Sequence, residues 1–186
     1  MAQEAFEQLR LDRVLLVPVA VPPHKEAAAD PGPEARLRLV ELAVAGDPRL
    51  GASRIEVDRG GPSYTVDTLR ALHGACPGDD LTFIVGGDAA HGLPGWREPE
   101  AVLELATLAV AEREGVRRED LARRLRDLHG GDRVTFFDMP RLDVSSSAIR
   151  RRAAEGRSLR YLVPDAVVTE IEEGRLYGNA AGRPAA

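Results

Sequence analysis

Short apolar stretches alternate with amphipathic stretches along most of this chain. Runs rich in Val, Ile, Leu and Phe, or alternating polar with apolar residues, predict strands at 13–18, 53–58, 81–85, 108–111 and 134–137. Apolar residues at helical spacing predict helices at 4–11, 37–43, 66–73, 99–105, 117–128, 148–154 and 164–173. Regular alternation of strand and helix is typical of an α/β protein. It predicts a mostly parallel sheet with helices on both faces.

The length and composition predict one compact domain. A chain of 186 residues with 44% hydrophobic residues is long enough to bury a sizeable core. We therefore expect a single domain over residues 1–177, followed by a disordered tail at 178–186. The pattern contains no internal repeat and no linker long enough to divide the chain.

Charge and cysteine content narrow the function classes. The formal net charge of -5 argues against general attraction to nucleic acid or to an anionic membrane. No apolar run approaches the roughly 20 residues that span a bilayer, so we expect a cytoplasmic protein. Cys76 is the single cysteine, which excludes an internal disulfide, and no Cys/His cluster has the spacing of a zinc site. We predict no metal site built by the protein.

A glycine pair and a carboxylate follow the apolar stretch at 81–85. Open parallel sheets bind ligands at the carboxyl ends of their strands. Gly86 and Gly87 allow a ligand to approach the backbone there, and Asp88 can accept hydrogen bonds from ribose hydroxyls or from an amine. The alternative is an ordinary strand-to-helix junction in which Asp88 caps the helix.

Three serines open the helix predicted at 148–154, and Arg150 lies one turn inside it. Free N–H groups, the helix dipole and the guanidinium fork together attract phosphate. The alternative is a serine-capped helix with arginines on its surface. Arg151 and Arg152 either assist Arg150 or face solvent.

Three loops carry further candidate binding residues. Thr65 can cap the helix that follows it, which leaves Tyr64 near the cleft. Trp96, the only tryptophan, can stack on a heteroaromatic ring or pack at the periphery of the core. His24 and Lys25 follow two prolines and can meet phosphate, or the loop is simply solvated.

Four motifs occur in an order that resembles the nicotinate-nucleotide adenylyltransferases of NAD biosynthesis, members of the HxGH nucleotidyltransferase superfamily. The resemblance implies a Rossmann-like, doubly wound parallel sheet flanked by helices. It also implies adenylyl transfer from ATP to nicotinate mononucleotide, giving deamido-NAD and pyrophosphate, with Mg²⁺ accompanying ATP. The motifs are Pro-Pro-His-Lys at 22–25, Gly-Pro-Ser-Tyr-Thr at 61–65, Phe-Ile-Val-Gly-Gly-Asp at 83–88 and Ser-Ser-Ser-Ala-Ile-Arg at 145–150.

The same resemblance implies which residues contact each substrate. No covalent intermediate is needed in such a reaction, because catalysis is mainly positioning and neutralisation of phosphate charge. The residues implied for ATP are Gly86, Asp88, Ser146, Ile149 and Arg150. The residues implied for nicotinate mononucleotide are Thr65, Trp96, Tyr64, His24 and Lys25.

The resemblance fails at the start of the chain. The family opens with a strand, a glycine-rich turn and a His-x-Gly-His segment, whereas Met1 falls where the first helix is already under way. We therefore expect the first strand to be absent from this chain and the true start of the protein to lie upstream, and we assign no catalytic histidine. Whether the chain as printed is active stays open. The alternatives are a non-catalytic nucleotide-binding remnant and a sister adenylyltransferase that uses nicotinamide mononucleotide, and a homo-oligomer is also left open.

Overall fold

The computed structural model describes residues 1–23, 30–112 and 118–178. His24, Lys25 and all of the predicted tail except Gly178 lie outside the described residues. In chain order the elements are α1 (Ala2–Gln8), β1 (Val14–Leu16), α2 (Pro33–Val44), β2 (Leu50–Ala52), α3 (Ile55–Arg59), α4 (Thr65–Ala75), β3 (Thr82–Gly86), α5 (Gly87–His91), a short 3-10 helix (Leu93–Gly95), α6 (Pro99–Leu105), β4 (Thr107–Glu112), α7 (Arg118–Leu125), β5 (Val134–Asp138), α8 (Ser146–Ala154) and α9 (Asp165–Glu173).

The predicted strand at 53–58 is wrong, because this stretch contains α3. Alternating polar and apolar residues over so short a stretch also fit one helical turn. The buried member is Glu56, at 7% exposure, and the apolar residues beside it are only partly buried. Acidic residues in the first turn suit the helix dipole. Gly60 ends the helix at φ 68°, a left-handed conformation that favours glycine. The other predicted strands and helices are confirmed within a few residues.

A parallel sheet forms the centre of the first of two compact units, which comprises Met1–Val14 and Ser63–Arg141. Its strand order is β3-β4-β5. Strand β4 pairs in parallel with both neighbours, so its backbone N–H and C=O groups are bonded along both edges. The predicted parallel sheet is confirmed by this arrangement.

Helices cover both faces of this sheet. Leu108 and Val110 of β4 point into a core shared with α4, α6 and α7. Ala109 and Ala111, the alternate residues of the same strand, meet Ala5 of α1 on the opposite face. All five side chains are at most 1% exposed. A strand buried on both faces is expected to read as a continuous apolar run, which is the pattern that predicted β4.

The second unit comprises Leu15–Pro62 and Leu142–Ala186. It holds most of β1, which pairs with β2, and helix α2 packs against both β2 and α9. Its core is built by α8, α9 and the segment between them, with Ile149, Leu159 and Ile171 among its buried side chains. Whether residues 1–177 act as one domain stays a prediction. In the described part of the chain, no helix is both long and apolar enough to cross a bilayer.

Arg36 of α2 joins two separate segments of the second unit. Its guanidinium donates to the Val19 carbonyl from Nε at 3.0 Å and from Nη2 at 2.6 Å, and to the Ala20 carbonyl at 2.6 Å. It also donates to the carboxylate of Asp30, whose Oδ1 accepts a bond from the Gly32 N–H at 3.1 Å. Arg36 therefore ties the chain after β1 to the segment that opens α2.

Replacing Arg36 with alanine is expected to destabilise the second unit. The Arg36→Ala variant leaves two carbonyls and one carboxylate without these bonds, which predicts a loss of about 1–3 kcal/mol in the free energy of unfolding. Urea denaturation measures the loss. Arg38→Ala is the matched control, because Arg38 is 56% exposed and, among the described residues, pairs with Glu170 alone, at 3.6 Å. Equal losses in the two variants would contradict a special role for Arg36.

Acid is expected to weaken the same contact. The hydrogen bond from Arg36 holds the pKa of the Asp30 carboxyl below its ordinary value of 3.8. A carboxyl whose pKa falls on folding contributes stability that is fully present above the ordinary pKa and is lost as the pH falls through the folded value. The stability gap between the natural chain and Asp30→Asn should therefore be fully present above the ordinary pKa and narrow as the pH falls below it. A stability gap independent of pH would show that the Arg36–Asp30 contact does not account for the loss of stability in acid.

Candidate functional site

The space above Gly86 is open. Strand β3 ends at this residue and α5 begins at the next one. The backbone of Gly86 is extended, with φ -77° and ψ 156°, which any residue adopts. A Cβ built on Gly86 would meet no atom of the described chain within 4 Å. Neither the conformation nor the packing of the described residues requires glycine here, so the backbone at the end of β3 leaves room for a ligand.

Asp88 follows Gly86 by two residues and does not cap the helix. The N-cap position of α5 belongs to Gly86, and Asp88 is the second helical residue, so the capping alternative is wrong. Its side chain is exposed, and within the described residues the carboxylate makes no hydrogen bond or ion pair. The chain fold therefore leaves the carboxylate oxygens available to accept bonds from a ligand.

Helix α4 begins without a side-chain cap. Tyr64 occupies the N-cap position, and its carbonyl accepts bonds from the N–H groups of Asp67 at 3.1 Å and Thr68 at 3.2 Å. Thr65 is already the first helical residue, so the predicted capping by Thr65 is wrong. Where the described chain is concerned, the Thr65 hydroxyl has no hydrogen-bond partner. The hydroxyl therefore lies at the N-terminus of α4 but does not cap the helix.

Trp96 is held at the edge of the first unit's core. It follows the 3-10 helix at Leu93–Gly95, and its backbone N–H donates to the Leu93 carbonyl at 2.9 Å. The indole is half-buried and meets the Phe83 ring edge-on, with ring centroids 6.0 Å apart and an interplanar angle of 67°. Peripheral packing of Trp96 is therefore confirmed, and stacking on a ligand ring stays a prediction.

Charged residues surround the Trp96 loop, and the sequence interpretation missed them. The guanidinium of Arg97 lies over the Tyr64 ring, with its carbon 4.8 Å from the centroid. Arg70 of α4 binds Glu98 through two hydrogen bonds, at 2.6 and 3.3 Å. These partners are 28 residues apart in sequence, and no local spacing rule links them.

The start of α8 matches the predicted serine cap. The hydroxyl of Ser145, at the N-cap position, accepts a bond from the Ala148 N–H at 3.2 Å. Ser146 and Ser147 are the first helical residues, and both are exposed. Arg150 donates from Nη2 to the Ser147 hydroxyl at 3.3 Å. Hydroxyls, a helix N-terminus and a guanidinium therefore meet within one turn, which favours binding of an anion.

Neighbouring residues of α8 have structural contacts. Arg152 donates to the Ser158 carbonyl from Nε at 3.2 Å and from Nη2 at 2.8 Å, so it anchors the end of the helix, and Arg151 is exposed. The side chain of Ile149 is buried in the second unit's core. Its N–H donates to the Ser145 carbonyl at 3.0 Å. A contact between Ile149 and ATP stays a prediction.

The predicted site residues fall into the two units as follows. The first unit holds Gly86, Asp88, Tyr64, Thr65 and Trp96, and the second holds Ser146, Ile149 and Arg150. No group of three or more His, Cys, Asp or Glu residues among those described is arranged to hold a metal ion.

Solved structures share this fold. The nicotinic acid mononucleotide adenylyltransferase of Plasmodium falciparum, complexed with NaAD, superposes with a TM-score of 0.69 over 90% of this chain and 83% of that one. The two sequences are 14% identical, so the comparison concerns the fold alone. It confirms the predicted α/β fold class.

Sequence relatives carry the assignment further. The pattern of the cytidylyltransferase-like family matches residues 1–152. A probable nicotinate-nucleotide adenylyltransferase of Thermus thermophilus is 47% identical over 95% of this chain and 89% of its own length. That of Citrifermentans bemidjiense is 42% identical over 96% of this chain and 90% of its own length. The chain belongs to the cytidylyltransferase-like family and, within it, to the nicotinate-nucleotide adenylyltransferases.

Proposed function

We propose that this chain transfers the adenylyl group of ATP to nicotinate mononucleotide, giving deamido-NAD and pyrophosphate. One structural observation supports this most directly. At the carboxyl end of β3, the space above Gly86 is open, and the carboxylate of Asp88, two residues further along the chain, bonds to none of the described residues. This is where open parallel sheets bind nucleotides. Relatives with that activity in their names align over nearly the whole chain.

The proposed reaction is a displacement at the α-phosphorus of ATP. A phosphate oxygen of nicotinate mononucleotide forms the new P–O bond, the bond to the bridging oxygen of pyrophosphate breaks, and no covalent enzyme intermediate is required. Catalysis then consists of positioning the two nucleotides and stabilising charge on the phosphates. In the first unit, Asp88 can accept bonds from ribose hydroxyls, and in the second unit, Ser146 and Arg150 can donate to phosphate.

The acceptor nucleotide is assigned to the residues around α4 and the Trp96 loop. The indole of Trp96 stacks on the pyridine ring, and the Thr65 hydroxyl hydrogen-bonds the nucleotide. Tyr64 lies directly before Thr65, and its aromatic ring is the third group assigned to the acceptor nucleotide. His24 and Lys25 would meet the acceptor phosphate, although both lie outside the described residues.

Magnesium is proposed to arrive with ATP. Mg²⁺ prefers oxygen ligands and usually keeps several waters while it binds substrate phosphates. The phosphates would therefore supply its main ligands, and the ion would reduce their negative charge. Arg150 adds a fixed positive charge of the protein to that neutralisation.

A second candidate function is nucleotide binding without transfer. No two of the four histidines in the printed sequence are spaced as His-x-Gly-His, the segment implied to stabilise the transferring phosphate. Nicotinamide mononucleotide as acceptor is a further alternative. A cytoplasmic location and a homo-oligomeric state stay predictions.

Two measurements separate these candidates. Pyrophosphate release is followed with ATP, Mg²⁺ and either mononucleotide, using the printed chain and a form preceded by a glycine-rich strand and His-x-Gly-His segment. Quenching of Trp96 fluorescence reports binding independently of turnover, because Trp96 is the only tryptophan. Release with nicotinate mononucleotide in either form supports the transferase. Quenching without release in both forms supports the binding protein.

Removing the indole is expected to weaken binding of the acceptor selectively. Stacking of a heteroaromatic ring on an aromatic side chain contributes about 1–3 kcal/mol, so Trp96→Ala should raise the Kd for nicotinate mononucleotide at least about fivefold. Calorimetry measures both substrates, and the Kd for ATP should stay within about twofold. Trp96→Phe keeps a stacking ring and should recover part of the affinity. A Trp96→Ala variant that binds nicotinate mononucleotide normally would contradict this role.

Arg150 and Arg151 form a matched pair for testing the phosphate site. A charge-assisted bond contributes about 1.5–3 kcal/mol, so Arg150→Ala should raise the Kd for ATP about tenfold or more. The exposed neighbour provides the control, and Arg151→Ala should leave the Kd within about twofold. Similar losses in both variants would indicate a general charge effect. Retention of full affinity in Arg150→Ala would remove Arg150 from the site.

A further inference from the structure

Two arginines and two carboxylates join the Trp96 loop to helix α4. From α4, Arg70 reaches Glu98 with Nη2 2.6 Å from Oε2 and Nη1 3.3 Å from Oε1, a two-point contact that fixes orientation. Asp67, also on α4, accepts from Arg97 at 3.3 Å and lies 3.9 Å from Arg70. Arg97 and Glu98 directly follow Trp96 in sequence. Both residues that follow Trp96 are thus bound to helix α4, Arg97 through Asp67 and Glu98 through Arg70.

Glu98 has an unusual backbone conformation. It occupies the N-cap position of α6 at φ 50° and ψ 59°, in the left-handed region that residues other than glycine rarely adopt. Its carbonyl accepts the Val102 N–H at 3.2 Å, and its side chain is held by Arg70. The hydrogen bond from Arg70 also keeps the pKa of the Glu98 carboxyl below its ordinary value of 4.5, so the pair remains charged at neutral pH. Contacts on both sides of the Cα therefore maintain a conformation that the residue alone disfavours.

Stability alone is a weak explanation for this network. The side chains of Arg70 and Glu98 are 47% and 43% exposed, and exposed ion pairs contribute little to folding. Directional contacts can still select one arrangement of a loop. The core holds the Trp96 loop through Phe83, and the ion pairs hold it to the helix that starts at Thr65.

Arg97 adds a second link at the same place. Its guanidinium lies over the ring of Tyr64, the residue directly before Thr65. The backbone neighbours of both candidate acceptor-binding residues, Trp96 and Thr65, therefore contact each other. A shift of the loop would move the indole relative to the start of α4.

We propose that the Arg70–Glu98 ion pair, together with Asp67 and Arg97, positions Trp96 relative to Thr65 and thereby sets the affinity for the acceptor nucleotide. This inference rests on the proposed function, in which these two residues bind nicotinate mononucleotide. Arg70 and Glu98 are positioning residues, because they act through Trp96 and need not touch the substrate. Exposed pairs are screened by salt, so the affinity for the acceptor should fall as salt increases.

The test uses the full chain and an isosteric change. Because residues in direct contact are energetically coupled, Glu98→Gln is expected to raise the Kd for nicotinate mononucleotide about threefold to tenfold. The Kd for ATP and the urea midpoint should stay nearly unchanged. The exchanged double variant Arg70→Glu/Glu98→Arg should recover part of the affinity. Glu34→Gln is the control, since Glu34 forms a similar exposed two-point pair with Arg54, at 3.0 and 3.2 Å.

Acrylamide quenching of Trp96 tests the positioning without any ligand. Glu98→Gln should make the indole easier to quench, whereas Glu34→Gln should leave quenching unchanged. Unchanged quenching and unchanged affinity in Glu98→Gln would overturn the proposal, as would equal weakening of both nucleotides together with a lower urea midpoint. If Glu98→Gln alters quenching but the natural chain does not bind nicotinate mononucleotide, the positioning stands and the proposed function fails.

Discussion

Burial of β4 on both faces is the constraint on which the first unit depends. The large side chains of β4 pack into the core on one face of the sheet, and its alanines pack against α1 on the other face. Packing on both faces therefore fixes the position of the strand. The parallel register then aligns the strand ends, because Gly86 pairs with Ala111 and Ala111 pairs with Phe137. The opening above Gly86 and the carboxylate of Asp88 are thus placed by packing some distance away.

Polar contacts organise the segments that these cores do not reach. Arg36 joins the chain after β1 to the start of α2, and Arg70 joins the Trp96 loop to α4. Both use the planar guanidinium to hold more than one acceptor, which fixes direction as well as distance. The exposed Arg70–Glu98 pair contributes little to the free energy of folding, so its effect is expected in the geometry of the Trp96 loop and hence in ligand affinity. Arg36 is less exposed and bonds two backbone carbonyls, so its effect is expected in stability.

Local patterns predicted much of this structure, and contacts distant in sequence account for the rest. The apolar run of β4 and the serine cap of α8 were predictable because each depends on neighbouring residues. The stretch at 53–58 misled the interpretation, because burial of Glu56 is decided by its surroundings and not by its polarity. The pair between Arg70 and Glu98 joins different elements, so no spacing rule indicates it. The order of the motifs, rather than any one of them, predicted the family.

The proposed chemistry is tested most directly by product stoichiometry. Deamido-NAD and pyrophosphate are quantified together after incubation with ATP, Mg²⁺ and nicotinate mononucleotide, in the printed chain and in the form that carries a His-x-Gly-His segment. We predict equal amounts of the two products in at least one form, with neither product formed when one nucleotide is omitted. Folded protein that binds nicotinate mononucleotide and forms neither product in either form would contradict adenylyl transfer and leave a nucleotide-binding protein.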